Sequence, residues 1–167
     1  ESLGLERLEV LTIVSQLESV SGRFEYIVSN NGVTAIVDYA HTPDALKNVL
    51  ETINDIRTGN ENILTVVGCG GDRDKLKRPK MAHIATQLST QVIFTSDNPR
   101  TENPETILEE MESGVLPENE QKTVTISNRK QAIKTACKLS KTGDINLIAG
   151  KGHENYQEIN GVRAHFD

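Results

Sequence analysis

Between Ile63 and Ile148 two kinds of apolar pattern alternate, and this alternation constrains the fold more than any other feature of the chain. Short runs rich in β-branched residues read as strands: Ile63-Leu64-Thr65-Val66-Val67, Val92-Ile93-Phe94, Thr123-Val124-Thr125-Ile126 and Ile145-Asn146-Leu147-Ile148. Between them, Met81 to Ala85, Ile107 to Met111 and Arg129 to Leu139 carry helical spacing. Strand, helix and strand in succession close as right-handed crossovers onto a parallel sheet. The expected class is therefore α/β: a Rossmann-like, mostly parallel sheet with helices on both faces.

The segment ahead of this alternation reads differently. Leu5, Leu8, Leu11, Val14 and Leu17 recur every third residue, which predicts an amphipathic helix ending near the Ser19 to Gly22 breaker. Arg23 to Val28 and Val33 to Val37 flank Ser29-Asn30-Asn31-Gly32, whose Asn and Gly tolerate a tight turn, so an antiparallel hairpin is expected at the N-terminal edge. Thr42-Pro43-Asp44 supplies a cap, a first-turn proline and an acid matched to the helix dipole, and Leu46, Val49, Leu50 and Ile53 follow at helical spacing. A helix over Pro43 to Ile56 is predicted, and a closing hairpin around Asn160-Gly161. No repeat or linker divides residues 1–167, which are expected to form one domain.

Composition removes several function classes. A chain of 167 residues buries a sufficient core without disulfides or a structural metal. Cys69 and Cys137 stand alone, with no CxxC, and read as small buried hydrophobes; the histidines lack a second histidine at ligand spacing, so no metal site is expected. With 18 Lys+Arg against 24 Asp+Glu the net charge is −6, and no basic block offers the footprint that nucleic acid requires. No apolar stretch approaches the roughly 18 residues of a bilayer span, and Glu1-Ser2-Leu3-Gly4-Leu5-Glu6-Arg7 lacks the order of a signal peptide. A cytoplasmic protein with no membrane partner is expected.

In sheets of this kind ligands bind beyond the carboxyl ends of the strands, where loops converge on helix N-termini. Three loops there hold chemistry. Gly68 to Pro79 joins three glycines to the cations Arg73, Lys75, Lys77 and Arg78. It is neither a Walker A nor a GxGxxG loop, because no GxxxxGK[ST] exists and Arg73 occupies the last glycine place. Close backbone approach to an anionic ligand and a solvated basic turn paired with Asp72 and Asp74 explain it equally well. Asp97-Asn98-Pro99-Arg100 offers an amide and a planar guanidinium suited to carboxylates, but also reads as an Asx-Pro turn with a surface arginine. In Gly150-Lys151-Gly152-His153-Glu154, Glu154 suits an ammonium, or is an exposed acid on a flexible loop. Asp38-Tyr39-Ala40-His41 suits a ribose and a base, although helix capping explains the same residues.

In this order, Gly22-Arg23-Phe24-Glu25, DYAHTP, GCGGDRDK with Lys77-Arg78-Pro79, DNPR, and GKGHE with Asn155-Tyr156-Gln157 resemble the C-terminal domain of the Mur ligases, and within them the branch that adds meso-diaminopimelate. The resemblance covers nearly the whole chain. It implies an ATP-dependent C–N ligase of peptidoglycan synthesis that adds meso-diaminopimelate to UDP-N-acetylmuramoyl-L-alanyl-D-glutamate through an acyl phosphate. It further implies that a central P-loop domain and an N-terminal UDP-binding domain of the parent enzyme lie outside this chain, and that the isolated chain is inactive. ATP and magnesium are the expected cofactors, with the metal held mainly by the central domain. Small molecules are the expected partners of a monomer.

By position, the resemblance makes Arg23 a catalytic and nucleotide-binding residue that reaches the ATP phosphates, and places Asp38, Tyr39 and His41 on the nucleoside. It makes Arg73, Asp97, Asn98, Arg100, Gly150 and Glu154 the amino-acid site. Arg100 is then the residue that discriminates against lysine, which lacks the distal carboxylate. Leu76 departs from the family, where glycine is common. A non-catalytic amino-acid-binding module and the C-terminal domain of a folylpolyglutamate synthetase are the alternatives, the latter disfavoured by the DNPR and GKGHE pair.

Overall fold

The computed structural model describes residues 21–166, so the helix expected over Leu5 to Leu17 lies outside the described residues. The first hairpin pairs β1 (Glu25–Val28) with β2 (Thr34–Asp38) antiparallel, and Gly32 takes the positive φ of +79° that its turn requires. Helix α1 (Pro43–Ile56) has the predicted bounds: the Thr42 hydroxyl accepts from Ala45 N at 3.3 Å, and Leu46, Val49, Leu50 and Ile53 are buried.

The alternation follows as β3 (Ile63–Val67), α2 (Lys77–Leu88), β4 (Gln91–Phe94), α3 (Pro104–Glu112), β5 (Thr123–Thr125), α4 (Arg129–Leu139) and β6 (Ile145–Ala149). Asn103 and Asn128 cap α3 and α4, accepting from Glu105 N at 2.9 Å and Gln131 N at 3.0 Å. Helix α2 starts at Lys77, ahead of Pro79, where the sequence pattern alone suggests loop; the first-turn amides have no intrahelical acceptor, so a proline there removes no helical bond. A six-residue 3-10 helix, Pro117–Lys122, was not anticipated, because its polar run carries no apolar period.

The six-stranded sheet has the order β1-β2-β6-β3-β4-β5, with every pair parallel except β1 with β2. The chain steps outward from β3 to β5 and then returns to insert β6 between β2 and β3. Loops leaving β2, β3, β4 and β6 therefore emerge together at one end. Pleat alternation divides the core: Ile63, Val67, Val92, Phe94 and Leu147 pack with α1, α2 and α3, whereas Leu64, Val66 and Ile93 pack with Ala132 and Ala136 of α4. The predicted two-faced α/β sheet with an antiparallel edge is present, and among the described residues three α-helices cover one face and one covers the other. Among the described residues no helix is long and apolar enough to cross a membrane.

The closing hairpin, β7 (Tyr156–Ile159) and β8 (Val162–His165), turns at Asn160 (φ +49°) and Gly161 (φ +74°), the two consecutive positive values of a tight two-residue turn. It docks on the loop after β4, where Arg100 N donates to Glu158 O at 3.1 Å and Asn160 N to Arg100 O at 2.7 Å. One expectation fails outright. Cys69 is buried, but Cys137 is exposed. It follows Ala136 by one residue on α4, a turn of about 100° away from the narrow stripe of Ala132 and Ala136 that meets the sheet.

Candidate functional site

An open cleft of about 800 Å³ lies beyond the carboxyl ends of the strands. Tyr39 and His41 border it after β2, Arg73 and Lys77 after β3, Asp97, Asn98 and Arg100 after β4, and Gly150 and Glu154 after β6. The closing hairpin contributes Tyr156, Glu158 and Arg163. Eight of the ten residues singled out from the sequence thus share one cavity. Arg23 and Asp38 are not among its lining.

Asp38 instead holds backbone: Oδ2 accepts from Phe24 N at 2.8 Å and Oδ1 from Ala40 N at 2.7 Å. This seats Phe24, whose φ of +46° is unusual for a residue with a Cβ. Arg23 is exposed. At the cleft's rim the Tyr39 and His41 rings lie 4.6 Å apart, His41 Nδ1 meets Tyr39 O at 2.9 Å, and Lys77 Nζ donates to His41 O at 2.8 Å.

The loops after β3 and β4 are locked together. Gly71 N donates to Asn98 O at 2.9 Å, Arg100 Nη1 to Gly71 O at 2.8 Å, and the Thr101 hydroxyl and amide to the Asp72 carboxylate at 2.7 and 3.2 Å. Two non-glycine residues here, Asp72 and Arg100, hold φ values of +53° and +51°. Two of the glycines are required by the packing of these loops: a Cβ on Gly68 would sit 2.2 Å from Thr95 O, and one on Gly71 1.9 Å from Pro99 O, while Gly68 and Gly70 also line the cleft. Nor are the loop's cations paired with Asp72 and Asp74. Arg78 is fully buried and grips Glu102 and Glu110, and Lys75 approaches the same two acids at 3.3 and 3.8 Å. Arg73 is the loop arginine left bordering the cleft, and Leu76, the departure from the family, is 75% exposed.

Glu154 and Asp97 bring negative charge to the floor. Glu154 Oε2 accepts from Asn98 Nδ2 at 2.9 Å, and Oε1 receives the Tyr39 hydroxyl at 3.5 Å. The phenol of Tyr39 is held above its ordinary range, first by burial and then by the Glu154 charge. Asn98, expected to meet a ligand carboxylate, is 2% exposed and works as an internal brace: its Oδ1 accepts from Lys151 Nζ at 2.9 Å and Glu158 N at 3.0 Å.

Two cations offset these acids. Lys151, 4% exposed, lies 3.2 Å from Asp97 Oδ1 and 3.6 Å from Glu154 Oε2; the first contact is an ion pair without an aligned hydrogen bond. Arg129 is buried behind the floor and donates Nη2 to Ala149 O at 2.8 Å. Burial lowers its pKa, and Asp97 and Glu154 act against that shift. Neither cation was assigned a part from the sequence. Asn98 stands 53 residues from Lys151 and Ala149 20 residues from Arg129, and the nearer partner Glu154 meets Lys151 on a loop where no helical or strand period marks the pair.

The cleft's lining brings the arginines Arg73, Arg100 and Arg163 together with the carboxylates Glu154, Asp97 and Glu158, of which Glu158 is already paired with Arg163 Nε at 3.2 Å. That is an arrangement for a small ligand bearing both carboxylate and ammonium groups.

Residues 22–152 match the model of the Mur ligase, glutamate ligase domain. A UDP-N-acetylmuramoyl-L-alanyl-D-glutamate--2,6-diaminopimelate ligase of Cytophaga hutchinsonii is 58% identical over 165 residues, 99% of this chain and 34% of that protein. Its namesake in Lactiplantibacillus plantarum is 51% identical over 164 residues, covering 98% of this chain and 32% of the relative. A solved structure under the same enzyme name superposes with a TM-score of 0.81 at 44% identity, covering 99% of this chain and 33% of the other. A folylpolyglutamate synthase of Thermotoga maritima, with a TM-score of 0.62 at 19% identity over 89% of this chain and 32% of its own, shares the fold. The chain thus spans about a third of the length of the curated relatives it matches.

Proposed function

The chain belongs to the Mur ligase family, and from that premise we propose that it is the C-terminal, amino-acid-taking domain of an ATP-dependent ligase that joins meso-diaminopimelate to UDP-N-acetylmuramoyl-L-alanyl-D-glutamate in peptidoglycan synthesis. The observation that carries the reading is that Arg73, Arg100 and Glu154 line one cleft. Meso-diaminopimelate has an ammonium and a carboxylate at each end. Glu154 Oε1 receives the distal ammonium, and the arginine forks take carboxylates, so the other amine is left pointing out of the cleft toward an activated acyl group. The domain's contribution is orientation: it converts the meeting of amine and acyl phosphate into a positioned encounter.

ATP and magnesium belong to the ligase as a whole. On the nucleotide side Tyr39 and His41 border the cleft, and the Arg23 and Asp38 segment adjoins them, with Asp38 acting through the backbone of Phe24 and Ala40. Among the described residues no three His, Cys, Asp or Glu side chains converge as a metal site, so the reading assigns the ion's ligands to the remainder of the ligase. ATP would supply the phosphoryl group that activates the acceptor carboxylate. Arg23, Asp38, Tyr39 and His41 would hold the nucleotide against the amino-acid site.

The test is substrate discrimination by Arg100→Ala in the full-length ligase. Because Arg100 Nη1 already bonds Gly71 O, the expected loss of kcat/KM for meso-diaminopimelate is about 2 kcal/mol, roughly thirtyfold, at the lower end for a charge-assisted contact. Lysine, with no distal carboxylate, should lose little, and Arg100→Lys should not restore the wild-type ratio, since a point ammonium cannot replace a fork. If both amino acids fall by the same factor, Arg100 is scaffold and the assignment of the substrate fails.

A further inference from the structure

We propose that Lys151 is a positioning residue for the amino acid: its buried ammonium orients Glu154 at one end of the cleft and secures the hairpin that seats Arg100 at the other. The inference rests on the cleft being an amino-acid site, and it adds a residue that acts only through its neighbours.

Lys151 lies between Gly150 and Gly152, whose φ values of +108° and +52° turn the chain sharply enough to send the lysine inward. A buried ammonium is costly to hold unless its donors are satisfied and its charge is paired. Nζ carries three donors. One meets Asn98 Oδ1 at 2.9 Å and another Tyr156 O at 2.7 Å, and the remaining side faces Asp97 Oδ1 at 3.2 Å and Glu154 Oε2 at 3.6 Å. The rings of Tyr156 and Phe166, with centroids 5.6 and 5.7 Å from Nζ, cover it.

An ammonium only donates, so Lys151, together with Glu158 N on the same oxygen, sets which way the Asn98 amide points. Asn98 Oδ1 must face Nζ, where it also receives Glu158 N at 3.0 Å, and Asn98 Nδ2 is thereby aimed at Glu154 Oε2, 2.9 Å away. Glu154 is pinned by that oxygen. Its Oε1, opposed by the Tyr39 hydroxyl at the long distance of 3.5 Å, is the one presented to a ligand ammonium.

Lys151 also acts through the hairpin. Holding Tyr156 O fixes the start of β7, and two residues on, Glu158 O accepts from the amide of Arg100, the residue at φ +51°. The same ammonium therefore governs the ammonium-binding and the carboxylate-binding ends of the cleft. The nucleotide-side residues Tyr39 and His41 receive no bond from Lys151.

This division is what the experiment reads. In the full-length ligase, Lys151→Met should raise the KM for meso-diaminopimelate by roughly tenfold to a hundredfold, as expected for groups displaced by about an ångström, while the KM for ATP stays within about twofold. Lys151→Gln, which keeps one donor for Asn98 or Tyr156, should recover part of the loss. In Lys151→Ala, added n-propylammonium should restore amino-acid KM in a saturable way. A merely structural lysine would lower the melting temperature and disturb both substrates together, and that result, or an unchanged amino-acid KM, overturns the inference. If Lys151→Met does not fold, the glutamine variant and the amine titration decide by the same split between the two KM values. A wild-type ligase that does not use meso-diaminopimelate refutes the functional reading itself and takes this inference with it, whereas a wild type that uses it beside unaffected variants refutes the inference alone.

Discussion

Replacing Arg78 by methionine should destabilise the protein at neutral pH and lose much of that effect in acid. The guanidinium is fully buried and pairs with Glu102 through two bonds, Nη2 to Oε1 at 2.8 Å and Nη1 to Oε2 at 2.9 Å. It also donates to Glu110 Oε2 at 2.5 Å and to Gly70 O at 3.2 Å. The Arg78 bonds, with smaller contributions from Asp72 N and Lys75, hold the Glu102 carboxyl down at about 2 from an ordinary 4.5. At 1.36 kcal/mol per pH unit that shift corresponds to roughly 3 kcal/mol, an upper bound for the loss because other donors share it. Side-chain exposures of 17% for Glu102 and 34% for Glu110 let water reach both acids once the cation is gone, which brings the expected loss to about 2–3 kcal/mol.

For a chain of this size that is a fall in Tm of about 4–12 °C. The depressed carboxyl sets the sign. Its contribution is complete above the unfolded-state value of 4.5 and is lost as pH falls through about 2. Thermal melts followed by circular dichroism at pH 7, 5, 4 and 3 should therefore show a full gap between wild type and Arg78→Met at pH 7 and 5, and a narrowing one below 4. A gap that is equally wide at pH 3, or under about 2 °C at pH 7, would refute the electrostatic account. Since Glu102 also accepts from Asp72 N at 2.6 Å, the variant should loosen the loop that carries Arg73.

Gly71→Ala should cost about 1–3 kcal/mol, because its Cβ would lie 1.9 Å from Pro99 O and two backbones must part. A urea denaturation midpoint equal to wild type would contradict this. The two thiols should differ sharply toward Ellman's reagent: Cys137 is exposed and should react at once in the native protein. Cys69, its thiol pushed up to about 12 chiefly by burial and its Sγ 3.6 Å from Met81 Sδ, should react only after unfolding. Two rapidly titrating thiols, or one that survives Cys137→Ser, would show that the core around Cys69 opens.

The strands and helices were legible because their signals are local. Thr42-Pro43 announces a helix start through a bond to the amide three residues away, and Asn160-Gly161 announces a turn through its own φ preferences. The order of motifs was enough to place Tyr39, His41, Arg73, Asp97, Asn98, Arg100, Gly150 and Glu154 together, since in an α/β sheet loops after the strands share one end. Cys137 was misjudged for a related reason: a helix's apolar composition is visible in sequence, but the width of the stripe that meets the sheet depends on what lies opposite, here beneath Ala132 and Ala136.

What only the tertiary structure decided is the work each polar group does inside that site. Gly71 could have admitted a ligand or a neighbouring chain; Pro99 O, on the loop after the adjacent strand β4, makes it the latter. Asn98 could have faced a carboxylate, and it braces Glu154 because Lys151 takes its carbonyl oxygen. Arg78, Arg129 and Lys151 look like surface cations in the sequence, and all three are buried. Burial of a charge is tolerated where acceptors and counter-charges converge on it, as they do on Arg78 and Lys151, whereas Arg129 keeps a single bond, to Ala149 O. Periodicity and capping act over a few residues and can be read along the sequence, whereas desolvation and pairing act through space and exist only once the loops have met.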